Sequence, residues 1–150
     1  MSSLATDSLF IAAIRSDADI MQEIGGRLYS TAIPLPDEDA DNVPVPYIIV
    51  TFDGLTNDQT TKDSLEASTD TVNIGVEITA VSRADLARLT TAVRSQIRSY
   101  TENAIDDPLT PYDYQFTADP VQYDGEKPCY WQTLRYQCDM NNEENEQDEE

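Results

Sequence analysis

The sequence has no histidine, two cysteines and only nine basic residues among its 150. Without histidine the commonest general base and transition-metal ligand are missing, so Ser-His and Cys-His nucleophile pairs are excluded. Two separated cysteines do not form a zinc site without other soft ligands. The glycine pair Gly25-Gly26 follows a predicted helix, whereas phosphate-binding loops follow a strand. We therefore predict no catalytic residue, no cofactor and no metal, in a protein that is not an enzyme.

Long apolar runs are also absent. No stretch approaches the roughly 20 residues that cross a bilayer, and residues 1–7 lack the basic region and cleavage pattern of a signal peptide. We expect a protein that is made and kept inside a cell and that contacts no membrane. Cys129 and Cys138 lie nine residues apart on a predicted strand, so their side chains point to opposite faces and do not pair. We interpret them as free packing thiols.

Negative charge is the strongest feature that is present. The net charge is −20, and only seven of the 29 acidic residues lie in the final segment 139–150. This balance argues against nonspecific nucleic-acid binding. Self-repulsion destabilises a compact domain in dilute salt, whereas molar salt shortens the screening length to about 3 Å. We infer a halophilic host cytoplasm. The alternative is an ordinary acidic protein with one face shaped for a basic partner.

Two short helices are predicted near the N terminus. Apolar residues recur at helical spacing after Thr6 or Asp7, either of which could cap the first helix. A second helix starts within residues 16–19 and stops at the Gly25-Gly26 pair. A brief strand is predicted next, at residues 27–30.

Two longer strands with an arm between them are predicted in the middle of the chain. Residues 46–52 form a β-branched and aromatic run, after a proline-rich loop at 33–46. Residues 71–81 alternate apolar and polar side chains. The intervening segment 53–70 is rich in Thr, Asp, Gly and Ser, which favours a long hairpin arm or loop that carries function.

A long amphipathic helix is predicted after the alternating strand. Ser82 and Asp85 match a capping box, in which two side chains each satisfy an amide at the start of a helix. The helix then carries one narrow apolar stripe, at positions 86, 89, 93, 97 and 100. This stripe is predicted to cover the apolar face of the strand, formed by Val72, Ile74, Val76, Ile78 and Ala80. The other face of the strand stays polar and open.

The C-terminal third completes the predicted fold. Residues 112–123 and 129–138 are expected to form a closing hairpin around the turn 124–128. We predict an α+β fold, with a mostly antiparallel sheet of about four to five strands packed on one main helix and short N-terminal helices. A single domain spans residues 1–138, and residues 139–150 form an acidic, disordered tail.

The predicted long helix contains four of the seven arginines. At 100° per residue Arg83, Arg94 and Arg98 fall on one flank, beside the apolar stripe. One interpretation is a helix surface that is balanced by neighbouring acids. The other is that Arg94 and Arg98 reach an acidic surface of an adjacent subunit, where arginine is the favoured cation.

Several of these parts recur in a fixed order. They are Gly25-Gly-Arg-Leu-Tyr29, the run 45–50 after the prolines, the Thr- and Asp-rich arm, Val72-Asn-Ile-Gly-Val76, and a helix that opens Ser82-Arg-Ala-Asp-Leu86. In this order the chain resembles the tail-completion, or tail-terminator, proteins of long-tailed phages and viruses. The resemblance covers roughly residues 4 to 100, with a closing hairpin to about 138.

The resemblance implies a structural virion protein of the tail-neck region, assembled in the host cytoplasm. Family members form a ring, usually a hexamer, that ends the tail tube and docks the head-tail connector or stopper protein, while DNA only passes through the lumen. The candidate contacts with the tail tube protein or the next subunit are Asp53, Thr56, Asp58, Thr61, Lys62, Arg88, Arg94 and Arg98. The acidity and the 139–150 tail depart from the family pattern. The alternative function is a small intracellular acidic module that binds a basic protein.

Overall fold

A computed structural model of the protein describes residues 3–36, 39, 42–58, 69–103 and 112–141. The helices are a short 3-10 turn at Ser3–Ala5, α1 at Thr6–Arg15, α2 at Ala18–Glu23 and α3 at Arg83–Asn103. The strands are β1 at Leu28–Ser30, β2 at Tyr47–Asp58, β3 at Thr69–Ala80, β4 at Tyr112–Ala118, β5 at Gln122–Asp124 and β6 at Cys129–Asn141. The two predicted N-terminal helices, the brief first strand and the long helix are confirmed.

The strands form one sheet in the order β1-β2-β3-β6-β4, with β5 paired to the start of β6. The β1–β2 pair is parallel, and the other described pairs are antiparallel. The predicted α+β class is confirmed, with six described strands in place of four to five. The first limb of the predicted closing hairpin is divided at residues 119–121, because Pro120 has no N–H to donate to a strand ladder.

The alternation in β3 decides which face of the sheet is buried. Its apolar residues from Val72 to Ala80 are at most 1% exposed, and they pack beneath α3. The buried residues of the α3 stripe are Leu86, Leu89, Val93 and Ile97. Helix α1 lies beside α3 and adds Phe10, Ala13 and Ile14 to the same core. Each large side chain buried here stabilises the fold by roughly 1.5–3 kcal/mol.

The predicted ends of two helices are confirmed. At the start of α3 the Asp85 amide donates a hydrogen bond to Ser82 Oγ at 3.1 Å. Helix α2 begins with Asp17 as its N-cap, within the predicted range. It is followed by Gly25 and Gly26, whose φ angles of 60° and 76° suit residues without a Cβ.

The predicted cap of α1 by Thr6 or Asp7 is wrong. Ala5 occupies the N-cap position and makes no side-chain hydrogen bond. Thr6 is fully buried, and its hydroxyl donates to the Met140 sulfur at 2.8 Å. The hydroxyl that would cap the helix is instead turned inward, against the end of β6.

Of the two alternatives for segment 53–70, the described residues form the hairpin arm and not the loop. Strand β2 continues to Asp58, and β3 already begins at Thr69, so the two strands pair along both ends of the predicted arm. A bulge at Gly54, whose φ is 138°, shifts the register and lets the ladder continue. The loop alternative is wrong at both ends because Thr-rich sequence is as compatible with a strand as with a loop. Residues 59–68 lie outside the described residues.

Strand β6 continues three residues past the domain boundary predicted at 138. Residues 139–141 pair with residues 69–71 of β3, and Met140 is fully buried. The acids of the C terminus obscured this strand end, since Met140 is its single apolar residue. The rest of the predicted tail, residues 142–150, lies outside the described residues, so its disorder stays a prediction.

Candidate functional site

The candidate contact residues fall into three groups. Asp53, Thr56 and Asp58 lie along the second half of β2, Arg88, Arg94 and Arg98 lie on α3, and Thr61 and Lys62 lie outside the described residues. The structure does not bring the first two groups together. The Asp53 side chain lies beside Gly75 on the open face of the sheet, and α3 covers the other face.

Arg88 is held within the chain. Its guanidinium lies 2.5 Å from a Glu23 carboxylate oxygen and 3.0 Å from an Asp85 carboxylate oxygen. The hydrogen bond to Glu23 and, to a smaller extent, the hydrogen bond to Asp85 raise the pKa of Arg88. The hydrogen bond from Arg88 lowers the pKa of Asp85. Arg88 therefore connects the start of α3 to α2, as expected of a helix surface that is balanced by neighbouring acids.

Arg94 and Arg98 lie farther along α3, at a cavity of about 330 Å³ between this helix and β4, which we call the α3–β4 groove. The other lining residues are Ile97, Thr101, Tyr114, Phe116 and Tyr136. The Arg94 guanidinium carbon lies 4.0 Å from the centroid of the Phe116 ring, which is a cation–π geometry. Arg94 makes no ion pair with a carboxylate in the described part of the chain, in contrast to Arg88.

Two phenol groups line the α3–β4 groove. Tyr136 is 6% exposed, and its hydroxyl has no hydrogen-bond partner among the described residues. Tyr114 is largely buried, and its hydroxyl lies near the Thr101 side chain, which also lines the groove. Burial raises the pKa of Tyr136 to about 12, although the positive charge of Arg94 opposes the shift. Burial also raises the pKa of Tyr114. Both hydroxyls are therefore protonated at neutral pH and able to donate.

A second cavity, of about 410 Å³, lies on the open face around Arg135. The Arg135 Nε donates to both carboxylate oxygens of Asp119 at 3.0 and 2.9 Å, and its Nη1 lies 3.7 Å from Asp53 Oδ2. One cation between two carboxylates leaves no excess positive charge to attract an anion. Sequence reasoning missed Arg135, and the available signal was a lone arginine at a polar-face position of the last strand.

The described residues offer no metal centre. Within residues 3–36, 39, 42–58, 69–103 and 112–141, no three cysteine or acidic side chains are grouped closely enough to hold an ion. Cys129 and Cys138 are free and buried, and their odd separation on β6 puts them on opposite faces, as predicted. Burial raises the pKa of both thiols, that of Cys138 to about 12. None of the described helices is long and apolar enough to span a membrane.

The architecture is therefore an α+β protein whose sheet is covered on one face. No protein-family model matches the chain, and no curated protein matches it. Among solved structures, the chain is similar to one described as "Virion of native gene transfer agent (GTA) particle". The TM-score is 0.49 and the sequence identity is 10%, over 89% of this chain and 92% of the other. At this identity no residue role is transferred from that protein.

Proposed function

We propose that the protein is a structural subunit of a phage-like particle and assembles into a ring at the end of the tail tube. Six copies, the number implied by the family resemblance, close the ring and present a surface to the head-tail connector or stopper protein. DNA passes through the lumen, where negative charge repels it from the wall. The protein acts by assembly in the tail-neck region and performs no catalytic step.

The observation that carries this proposal is the β4 edge of the sheet. Strand β4 pairs with β6 on one side, and no other described strand pairs with its outer side. The α3–β4 groove, with Arg94 and Arg98, lies next to this edge. An unpaired edge beside a cationic groove is a surface that a second copy can cover, and head-to-tail contacts of this kind close into rings. Because the chain is strongly acidic elsewhere, each copy supplies both charges of such a contact.

The proposed contact with the tail tube is the far end of the β2–β3 hairpin. Asp53, Thr56 and Asp58 lie on the strand that leads to it, and Thr61 and Lys62 lie in the connection 59–68. Replacement of residues 59–68 by a short Gly-Ser linker leaves the described strand pairs intact. We expect this variant to fold and self-assemble but to lose binding to the tube protein. Undiminished tube binding would remove this contact from the proposal.

Assembly is tested by sedimentation velocity and negative-stain imaging of the full chain in dilute and in molar KCl. We expect rings in molar salt, where repulsion between acidic copies is screened. The double variant Arg94→Gln with Arg98→Gln is expected to remain monomeric, whereas Arg88→Gln, on the same helix, still forms rings. A chain that is monomeric in every salt condition, and also with the tail tube protein of the same genome, contradicts the proposal and favours the acidic binding module.

A further inference from the structure

The polar groups of the α3–β4 groove are hydrogen-bond donors, which suit a ligand that supplies acceptors. The Phe116 ring covers one face of the Arg94 guanidinium and leaves its in-plane N–H groups available. The Tyr136 hydroxyl is buried without a partner among the described residues. Buried polar groups are normally hydrogen-bonded, so this hydroxyl lacks an acceptor. A carboxylate supplies acceptors to a guanidinium and to phenol hydroxyls together.

We propose that the α3–β4 groove binds the acidic C-terminal segment 142–150 of a second copy of this chain. The segment, Asn142-Glu-Glu-Asn-Glu-Gln-Asp-Glu-Glu150, holds six acidic residues and no basic one. Its charge is therefore complementary to the two arginines at the groove. Its carboxylates supply the acceptor that the Tyr136 hydroxyl lacks.

The direction of β6 explains why the segment comes from a neighbour. The groove is lined by Tyr136 and by Tyr114, which lies opposite residues 137–139 of β6. From there β6 continues to Asn141, a distance of roughly 7–14 Å. The chain thus leaves the sheet while moving away from its own groove. To return, residues 142–150 would have to reverse direction at once, and they contain neither glycine nor proline. Repulsion between six like charges opposes such a reversal and favours reaching outward.

This inference deepens the proposed function and rests on it for the presence of a second copy. It assigns the groove of one copy and the segment 142–150 of another copy to the same subunit contact. The binding of segment to groove is measurable without a ring, so the two proposals can fail separately.

The test uses the full-length chain with its terminal acids neutralised by E143Q, E144Q, E146Q, D148N, E149Q and E150Q. A fluorescein-labelled peptide of residues 139–150 is titrated with this chain, and binding is followed by fluorescence anisotropy. We expect saturable binding, and a peptide with the same six amide replacements is expected to bind at least about tenfold more weakly, since charge-assisted hydrogen bonds are lost. Absence of saturable binding overturns the inference.

Three further substitutions in the neutralised chain locate the binding site. Arg94→Gln is expected to weaken peptide binding about tenfold, and Tyr136→Phe about threefold, because it deletes only one neutral donor. Arg88→Gln makes the same change of charge on the same helix and is expected to leave binding unchanged. Thermal unfolding of each variant establishes that it folds. Equal weakening by Arg88→Gln and Arg94→Gln would show nonspecific charge attraction and overturn the assignment.

Sedimentation of the unmodified chain separates the remaining outcomes. The unmodified chain could be monomeric and fail to bind the peptide while the neutralised chain binds it. This result would show that the segment folds back on its own copy, and it would overturn the second-copy assignment. Rings that persist in the neutralised chain would overturn this inference and leave the ring proposal standing. Peptide binding at the groove, in a chain that never forms rings, would support the groove and overturn the ring.

Discussion

Neighbouring residues of β3 lie on two faces of the sheet that are held by different forces. On the covered face Ile74 and Val76 are fully buried under α3 and contribute through apolar contact. On the open face Asn73 accepts a hydrogen bond from Gln137 Nε2 at 3.3 Å, and Thr71 donates to Asp139 Oδ1 at 3.0 Å. The covered face therefore provides most of the stability, and the open face pairs its own polar groups across the strands.

The comparison explains how one side of the sheet can stand without a covering layer. Polar side chains that bond to one another across strands offer a partner few unsatisfied groups and little apolar area. The buried Thr79 hydroxyl on the open face has no partner among the described residues, but Thr79 lines neither of the two cavities. The Tyr136 hydroxyl also lacks a partner there, and Tyr136 lines the α3–β4 groove beside Arg94. Binding sites for a partner are thus expected at the sheet edge rather than on its broad open face.

The largest expected effect comes from truncating adjacent residues that lie on opposite faces. Ile74→Ala should lower the free energy of unfolding by about 2–5 kcal/mol, because it leaves a cavity in a fully buried layer. Asn73→Ala should lower it by about 1 kcal/mol or less, since it removes one partly exposed hydrogen bond. Urea denaturation of both variants in molar KCl measures the difference. Equal losses would contradict the assignment of stability to the covered face.

Gly75→Ala tests how closely the open face is packed. An added Cβ would lie 2.6 Å from both Asp53 Oδ2 and Thr51 Oγ1, which are bonded to each other through Asp53 Oδ1 at 2.8 Å. Both obstacles are ends of side chains, so we expect a loss of about 1 kcal/mol as they move aside. In an Asp53→Ala background the same substitution should cost less, because only the Thr51 hydroxyl then remains in the way of the added Cβ. Additive effects in this double-mutant cycle would show that residues 53 and 75 do not interact.

The covered face was predictable from the sequence because two independent periods agree there. The alternation from Val72 to Ala80 and the stripe on the following helix each fix a face, and a helix that follows a strand this closely packs back onto it. Strand ends were less predictable. Thr-rich residues around Asp58 and acidic residues around Met140 pair as strands only because β3 lies beside them.

The candidate site was predictable only in part. The helical spacing placed Arg94 and Arg98 on one flank, but it could not show that Arg88, also a candidate contact, is held by Glu23, which is 65 residues away in the sequence. The groove also depends on Tyr114, which no local pattern connects to α3. Contacts of this kind depend on tertiary packing, so they leave no periodic signal.

The smallest expected effect is at Glu77, which shares the open face with Asn73. Burial raises the pKa of this carboxyl, so the folded protein binds a proton more readily than the unfolded chain. Stability therefore falls as the pH rises from the unfolded pKa through the raised folded pKa, and it stays lower above that window. Glu77→Gln removes the charge, so the variant should be slightly more stable than the parent chain at neutral pH.

The gain at Glu77→Gln should disappear near pH 3.5, which is below the usual glutamate pKa of about 4.3, where the parent carboxyl is protonated in both states. Urea midpoints at the two pH values measure this. Glu126→Gln, at an exposed turn position, is the control for losing one unit of the net charge of −20. A gain at residue 77 no larger than that at residue 126 would mean that overall repulsion, not burial on the open face, destabilises the charged form. A charge on the open face would then cost no more free energy than a charge in solvent. The contrast between the open and covered faces would be weaker than the structure indicates.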